Sequence, residues 1–465
     1  MHNSTFKDGE KPSFDRICRI SKNSSLRVHF VGIGGVSMYS LARLTLARGA
    51  AVSGSDREEN NNVRQLMLLG CRVYIGHSPE NARGADLVVY SQAISPDNPE
   101  LVASRKTSIP TVSRADYLGA LMLDYSTRIG VSGSHGKSTT VAMLDCIFTD
   151  CGESASVLSG ADLTIGEPFR FASKGRLIYE ACEYKDSFLS FSPTVAVGLN
   201  LELDHTDYFS DITQIKSSFT KALGRATDLA ILSGDDQNLM DIRKDLPCRT
   251  LTFGRSDGCD YRYSIISYLD RGYLFSVFRQ GSEIGRFVLN IPGEYNVHNA
   301  TAAITVAIEQ GISVEHIANA IASYGGIARR LQPIGRRFDR EVFYDYAHHP
   351  TEIAAAINAL KTHIRRPITV IFKPHTYSRT KSFWQELCAS LSLADYVILL
   401  DIYPAREQPI EGVSSEKLAE EIGKSAIYSS DDELFKNLDL HTRGAIVLMG
   451  AGDFKDIKTR IINSP

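Results

Sequence analysis

The sequence predicts an α/β protein of three domains: an N-terminal Rossmann-like domain, a central α/β domain of phosphate-loop type, and a C-terminal Rossmann-like α/β domain. Length is the first reason, because 465 residues exceed one hydrophobic core and suggest roughly three domains of about 150 residues each. The second is that short apolar strands alternate with helical stretches along the whole chain, the pattern of parallel sheets covered on both faces. The third is that two strands run straight into glycine turns that open helices, at Gly32–Gly35 and at Gly133–Gly136.

Domain by domain, residues 1–26 are polar, lack an apolar run and read as a mobile extension rather than a signal peptide. Residues 27–126 open with the strand Arg27–Val31 and a helix through about Arg48, then strands around Ala51–Ser53, Arg72–Ile75 and Leu87–Ser91. Residues 127–328 start with the strand Thr127–Ser132 and the helix Lys137–Asp150. Further strands are expected at Leu177–Cys182, Val195–Leu201, Leu229–Ser233 and Arg249–Phe253, and two alternating β segments within Asp260–Leu289. In residues 329–465, strands at Val342–Tyr346, Ile368–Phe372, Tyr396–Asp401 and Ala445–Met449 alternate with helices near Thr351–Lys361, Lys381–Leu391 and Ser415–Ile422.

Bulk properties narrow the function classes. Hydrophobic residues make up 43% and charged residues 23%, and the net charge is −3, so nothing favours nucleic acid or an anionic membrane as partner. The eight cysteines are scattered, with no metal-binding spacing, as in a reduced cytoplasmic enzyme. No apolar run approaches the roughly 20 residues that span a bilayer.

The strongest local signal is Gly133-Ser134-His135-Gly136-Lys137-Ser138-Thr139. Backbone N–H groups in such a turn converge on phosphate oxygens, and the following helix adds the partial positive charge of its N-terminus. Lys137 can reach the terminal phosphates and Ser138 can place its hydroxyl on Mg²⁺. The loop lacks the outer glycine of the common motor and GTPase motif, since Val131 stands five residues before Gly136. The earlier turn, Gly32-Ile33-Gly34-Gly35-Val36-Ser37-Met38, has Asp56 at 24 residues past Gly32, much as in a dinucleotide site, but Ser37 replaces the third glycine. It suits a diphosphate, of NAD or of a nucleotide-sugar. Two acidic clusters lie at strand ends, Glu180 with Glu183 and Asp204 with His205, where an α/β sheet places ligands and where a carboxylate suits Mg²⁺.

Taken in order, these segments resemble the Mur ligase family from Arg27 to about Asp456. The family's phosphate loop, without an outer glycine, corresponds to Gly133–Thr139; its strand-end acids to Glu180-Ala181-Cys182-Glu183; its N-x-x-x-D-H motif to Asn200 through His205; and its adenine-side motif to Gly293-Glu294-Tyr295-Asn296-Val297-His298-Asn299. The segments Gly32–Met38, Asp345–Glu352, Pro374–Thr380 and Tyr403–Glu407 are similar to the alanine-adding branch. The resemblance implies ATP-dependent ligation of L-alanine to the lactyl carboxylate of UDP-N-acetylmuramate through an acyl phosphate, in a cytoplasmic monomer or homodimer with ATP and Mg²⁺. Its rivals are a tripeptide ligase of wall recycling, a nicotinamide-dependent dehydrogenase and a non-catalytic nucleotide-sugar sensor.

By the same resemblance, ATP is bound by Gly133 through Thr139 together with Asn296, Asn299, Arg329 and Asp345. The metal falls to Ser138, Glu180 and His205. The UDP-substrate falls to Gly32, Gly34, Gly35, Val36, Ser37, Met38, Asp56 and Ser91, and the amino acid to His348, His375 and Arg379. Lys137, Glu180, His205 and His348 are the expected catalytic groups, with His348 accepting the proton of the amine. Thr376 stands where many relatives have arginine, which places carboxylate recognition on Arg379, and Tyr184-Lys185-Asp186 departs from the usual continuation after the second glutamate. Hinged closure is expected around Ser126 and Ala328.

Overall fold

A computed structural model describes residues 14–21, 25–153, 155–163, 167–172, 175–205, 208–405, 407–452 and 454–463. Arg406 of the Tyr403–Glu407 segment lies outside them. By packing, they fall into two compact units, the first reaching Glu202 and adding Thr213–Phe253 and Thr305–Ile312, the second comprising Leu203–Ile212, Gly254–Ile304 and the chain from Ser313.

The first unit holds two sheets. Strands β1 (Arg27–Val31), β2 (Ala51–Asp56), β3 (Arg72–Ile75), β4 (Leu87–Tyr90) and β5 (Thr111–Ser113) form a five-stranded sheet in the order β3-β2-β1-β4-β5. All its neighbours are parallel. Because parallel strands need crossovers, helices α2 (Val36–Ala47), α3 (Asn61–Leu68) and α4 (Pro99–Lys106) connect them, and α5 (Arg114–Met122) follows β5. Side-chain caps set three of these starts: Asn60 accepts from Val63 N, Asn98 from Glu100 N, and Ser113 from Asp116 N. Within the stretch read as an N-terminal extension, Phe14–Ser21 forms helix α1. Phe14, Ile17 and Cys18 recur at helical spacing, Ile17 is buried, and α1 packs on α5.

Seven further strands of this unit run in the order β12-β11-β10-β6-β9-β7-β8. They are β6 (Thr127–Ser132), β7 (Ser156–Leu158), β8 (Phe169–Arg170), β9 (Arg176–Glu180), β10 (Val195–Gly198), β11 (Leu229–Ser233) and β12 (Arg249–Gly254). Only β8 is antiparallel to its neighbour here. Helix α6 (Lys137–Asp150) leaves β6 through the second glycine turn, while α7 (Ile212–Leu223) and α8 (Gln237–Arg243) link β10, β11 and β12. Every side chain of β10 and β11 is buried, as expected of strands covered on both faces.

In the second unit the stretch read as two β segments is three antiparallel strands, β13 (Tyr261–Tyr268), β14 (Tyr273–Arg279) and β15 (Ser282–Leu289). The turn Gln280-Gly281, with φ of +49° and +83°, splits what looked like one run. Helix α9 (Glu294–Glu309), whose residues from Thr305 belong to the first unit, and helix α10 (Val314–Ser323) follow. Then comes a six-stranded sheet of β16 (Gln332–Arg337), β17 (Arg340–Asp345), β18 (Ile368–Phe372), β19 (Tyr396–Leu399), β20 (Ala426–Tyr428) and β21 (Ala445–Met449). Its order is β16-β17-β21-β18-β19-β20, with β16 the antiparallel edge. One face packs under α11 (Pro350–His363), α13 (Trp384–Leu391) and α14 (Ser415–Ile422), and the other under α15 (Leu434–His441) and α16 (Lys455–Asn463). The helix expected over Lys381–Leu391 is two, α12 (Tyr377–Ser382) and α13, broken at Phe383, whose ψ of 28° leaves the helical range. No helix among the described residues is long and apolar enough to cross a membrane.

Candidate active site

The second glycine turn is shaped by a single asparagine. Gly133 has φ +145°, and a Cβ there would sit 3.0 Å from Leu199 and 3.2 Å from the Asn200 nitrogen, so only glycine lets the loop lie against the end of β10. The Asn200 side chain then accepts from His135 N at 2.8 Å and donates to His135 O at 3.0 Å, while its carbonyl accepts from Ser134 N at 3.3 Å. Ser134 Oγ closes the edge by accepting from Glu202 N at 3.0 Å. Gly136, at φ +87°, caps α6 without a side-chain bond and no acid follows in the first turn. The head of α6 therefore keeps its N–H groups and partial positive charge for an anion.

Lys137 folds back over this loop. Its Nζ donates to Gly133 O, to Ser134 O at 3.3 Å and to the fully buried Glu183 at 3.1 Å. Burial lowers its pKa, but the Glu183 carboxylate outweighs burial and leaves it raised, so Lys137 stays an ammonium. Glu180, at the end of β9, accepts from Ser159 Oγ and Gly160 N through Oε1. Nearby, Arg114 at the head of α5 is lowered by burial, with Cys182 and Glu180 opposing. After Glu183, Lys185 and Asp186 take φ of +50° and +55°, a backbone that side chains rarely adopt, and Asp186 is tied to Ser218 of α7. The departure at Tyr184–Asp186 is thus a strained turn anchored to the neighbouring helix.

The first turn follows the same logic. Gly32 (φ +83°) and Ile33 both donate to Ser55 O, and Gly34 N donates to Asp56 Oδ2 at 2.8 Å. A Cβ on Gly34 would meet Asn60 at 2.7 Å and Asp56 at 2.9 Å. Gly35 caps α2 with no side-chain bond, leaving Val36, Ser37 and Met38 in an open helix head. Ser91, just past β4, turns the chain by accepting from Ala93 N on its hydroxyl. Asp56 therefore shapes the turn itself, a role its position alone did not reveal.

Within the second unit, Gly293 (φ +97°) opens α9, where Asn296 donates to Pro292 O at 2.6 Å and the buried Asn299 reaches Asn296 at 3.5 Å. Asp345, at the end of β17, spends both oxygens on backbone, accepting from Leu331 N and Ala347 N at 2.7 Å each. Burial raises its pKa to about 6 against the pull of Arg330 and those N–H groups. Arg329 lies over the Tyr346 ring at 4.8 Å, and Arg330 pairs with Glu352 at 3.2 Å.

His348 Nδ1 faces Tyr346 O at 3.0 Å, which fixes the proton on that nitrogen and leaves Nε2 as an acceptor. Burial lowers its pKa to about 4. His375 stacks on Tyr403 and stands edge-on to His348. Arg379 donates to Asp204 at 2.7 Å, and although burial raises Asp204, this guanidinium and His205 bring it down to about 2. His205 itself sits at φ +53°.

Gly133–Thr139, Glu180 and the Gly32–Met38 turn lie in the first unit, and Asn296, Asn299, Arg329, Asp345, His205, His348, His375 and Arg379 in the second. Sequence reasoning missed the clamping role of Asn200, the lysine partner Glu183, and the acids Asp204 and Glu352 that face Arg379 and Arg330. The motif positions of Asn200 and Glu183 were the available signal; nothing local marks Glu352.

Comparison with known proteins defines the class. The Mur ligase family, catalytic domain, matches residues 27–126; the Mur ligase middle domain, residues 131–307; and the Mur ligase, glutamate ligase domain, residues 329–452. The chain belongs to the Mur ligase family, whose members are ATP-dependent amide-bond-forming enzymes. It is 39% identical over 452 residues to the UDP-N-acetylmuramate–L-alanine ligase of Acetivibrio thermocellus, covering 94% of this chain and 96% of that one. The crystal structure of UDP-N-acetylmuramate-alanine ligase from Thermotoga maritima superposes with TM-score 0.80 at 26% identity, over 94% of this chain and 98% of that one. A murein peptide ligase from Psychrobacter arcticus gives 0.69 at 25% identity over the same shares.

Two tests follow from the clamp and the buried pair. Asn200→Ala removes both side-chain bonds to His135 and should raise the KM for ATP about tenfold while costing about 2 kcal/mol in urea unfolding. Asp204 has a folded pKa of about 2, below its ordinary value of about 3.9. Its stabilisation is therefore complete above the ordinary value and lost as pH falls toward the folded one. The unfolding free-energy gap between the parent and Asp204→Asn should be about 2 kcal/mol at neutral pH and should shrink on acidification below about pH 4.

Proposed function

We propose that the protein joins L-alanine to the lactyl carboxylate of UDP-N-acetylmuramate, converting ATP to ADP and phosphate, in the cytoplasm. The observation that carries this reading is the open head of α6 with Lys137 held over it as an ammonium, a site for the terminal phosphates of a nucleotide. The near-full-length similarity to alanine-adding ligases supports the choice of substrates.

We assign residues 27–126 to the UDP-substrate, through the turn at Gly32–Met38, Asp56 and Ser91, and residues 127–328 to ATP. Residues 329–465 are assigned to the amino acid, through His348, His375 and Arg379. Asn296 and Asn299 are assigned to the adenine side, and Arg329 and Asp345 to shaping the nucleotide site. Hinged closure around Ser126 and Ala328 is part of this reading.

A carboxylate does not acylate an amine unaided. A lactyl oxygen attacks the γ-phosphorus, the bond to the bridging oxygen breaks, and ADP leaves. Charge neutralisation and alignment suffice for this step, so no protein nucleophile is required. Lys137 exchanges the loop carbonyls and Glu183 for phosphate oxygens, a short move because Glu183 already holds it at the loop. Ser138 and Glu180 offer hard oxygen donors suited to Mg²⁺, which would neutralise phosphate charge when bound, and the resemblance adds the softer His205.

The alanine amine then attacks the acyl carbon and phosphate departs from the tetrahedral adduct. With a pKa of about 4, His348 is a weak base toward a free ammonium but is fully neutral near pH 7. It is suited to take the proton after the N–C bond forms, when that nitrogen has become acidic. Arg379 can receive the amino-acid carboxylate only by sharing its guanidinium with Asp204.

The test is phosphate release from ATP, Mg²⁺ and UDP-N-acetylmuramate with L-alanine, with the wall tripeptide, or with neither. Release should require L-alanine and fall at least a hundredfold in Lys137→Ala, roughly the effect of losing one transition-state charge contact. Release with tripeptide alone would replace the proposal with recycling chemistry, and silence with every acceptor would remove it.

A further inference from the structure

Helix α11 carries functional groups at both ends. Its first turn holds Glu352, which accepts from Arg330 at 3.2 Å and from His348 N at 3.2 Å, so this end supports the proposed amino-acid side. Eleven residues later, about 16 Å away along the axis, the helix ends at His363. That histidine lies outside every motif used above.

His363 closes a directed hydrogen-bond chain onto the head of α9. Its Nδ1 lies 3.2 Å from Leu269 O and its Nε2 lies 3.2 Å from Tyr273 Oη, with the two rings edge to face at 5.3 Å. A carbonyl only accepts, so the proton sits on Nδ1 and Nε2 offers a lone pair. The Tyr273 hydroxyl therefore donates to Nε2, which leaves its oxygen to accept from Gly293 N at 3.1 Å. Burial pushes the Tyr273 phenol up to about 12, so its proton is available for that bond. The donor–acceptor order is thus fixed from Gly293 through Tyr273 and His363 to Leu269.

Gly293 is the point where this chain matters. It sits at φ +97°, a Cβ there would come 2.5 Å from the Tyr295 ring, and its carbonyl accepts from Asn296 N at 2.9 Å. Moving Gly293 moves the start of α9 and with it Asn296 and Asn299. We propose that His363 is a positioning residue for the adenine nucleotide: through Tyr273 it holds Gly293 and the first turn of α9, and so ties nucleotide affinity to the seating of α11. The inference rests on the assignment of the adenine side to Asn296 and Asn299.

The experiment is steady-state kinetics on the full chain, varying ATP and UDP-N-acetylmuramate separately, with calorimetric binding of ADP to the unmodified protein as reference. His363→Ala and Tyr273→Phe should each raise the KM for ATP roughly three- to tenfold, the worth of one or two hydrogen bonds. The KM for UDP-N-acetylmuramate should not change, and the double variant should be no worse than the more damaging single one. His363→Gln, which keeps a donor and an acceptor, should recover most of the ATP affinity. An unchanged KM for ATP in both single variants, an equal rise for both substrates, or a multiplicative double variant would overturn the inference. Failure of the unmodified protein to bind ADP would instead strike the assignment of the adenine side, and the inference with it.

Discussion

The proposed active site depends on the fit of the Gly133–Thr139 loop against the end of β10. A loop that presents N–H groups to phosphate cannot satisfy them internally, so something outside it must hold its shape. Asn200 does this with both ends of its amide on His135, while Gly133 lets the two backbones approach within the radius of a methyl group. Asp236 in turn fixes the clamp's own segment, accepting from Leu201 N at 2.8 Å while capping α8 at Leu239 N. The open head of α6, the reach of Lys137 and the path of the chain into Glu202 all follow from that fit.

Three part-buried cations named above each have a resident opposite charge. Lys137 has Glu183, Arg330 has Glu352, and Arg379 has Asp204. Such pairs are costly to desolvate and are retained where the charge is needed. On the proposed assignment, an incoming phosphate or carboxylate displaces or shares the partner instead of confronting an empty, unsolvated cation. Asp345 differs, because its oxygens are committed to Leu331 N and Ala347 N. Both of its oxygens hold backbone.

Much of this was legible in the chain. Strands such as Thr127–Ser132, Ile368–Phe372 and Ala445–Met449 are bounded as read, because short β-branched runs flanked by turn residues leave little choice of state. The two glycine turns were also legible, since strand, glycine and helix head are contiguous. Less so was anything built across distance. The edge strand Gln332–Arg337 contains Pro333 and Gly335 and exists only because β17 pairs with it. The break at Phe383 depends on tertiary packing against His349, whose ring lies 4.8 Å from it. Helix α1 was overlooked because its apolar positions are few, and burial of Ile17 under α5 supplies what composition lacks. At the site, residue types were readable and partners were not: Arg379 looked like a free carboxylate reader until Asp204, 175 residues away, was found beside it.

One measurement bears most directly on the chemistry these residues are arranged to perform. UDP-N-acetylmuramate labelled with ¹⁸O in its lactyl carboxylate is turned over with ATP and L-alanine, and the phosphate released is weighed by mass spectrometry. Attack of the carboxylate on the γ-phosphorus carries one labelled oxygen into phosphate for each amide formed. Unlabelled phosphate, with all the label retained in the amide or lost to water, would contradict an acyl phosphate and with it the role given to the Gly133–Thr139 loop.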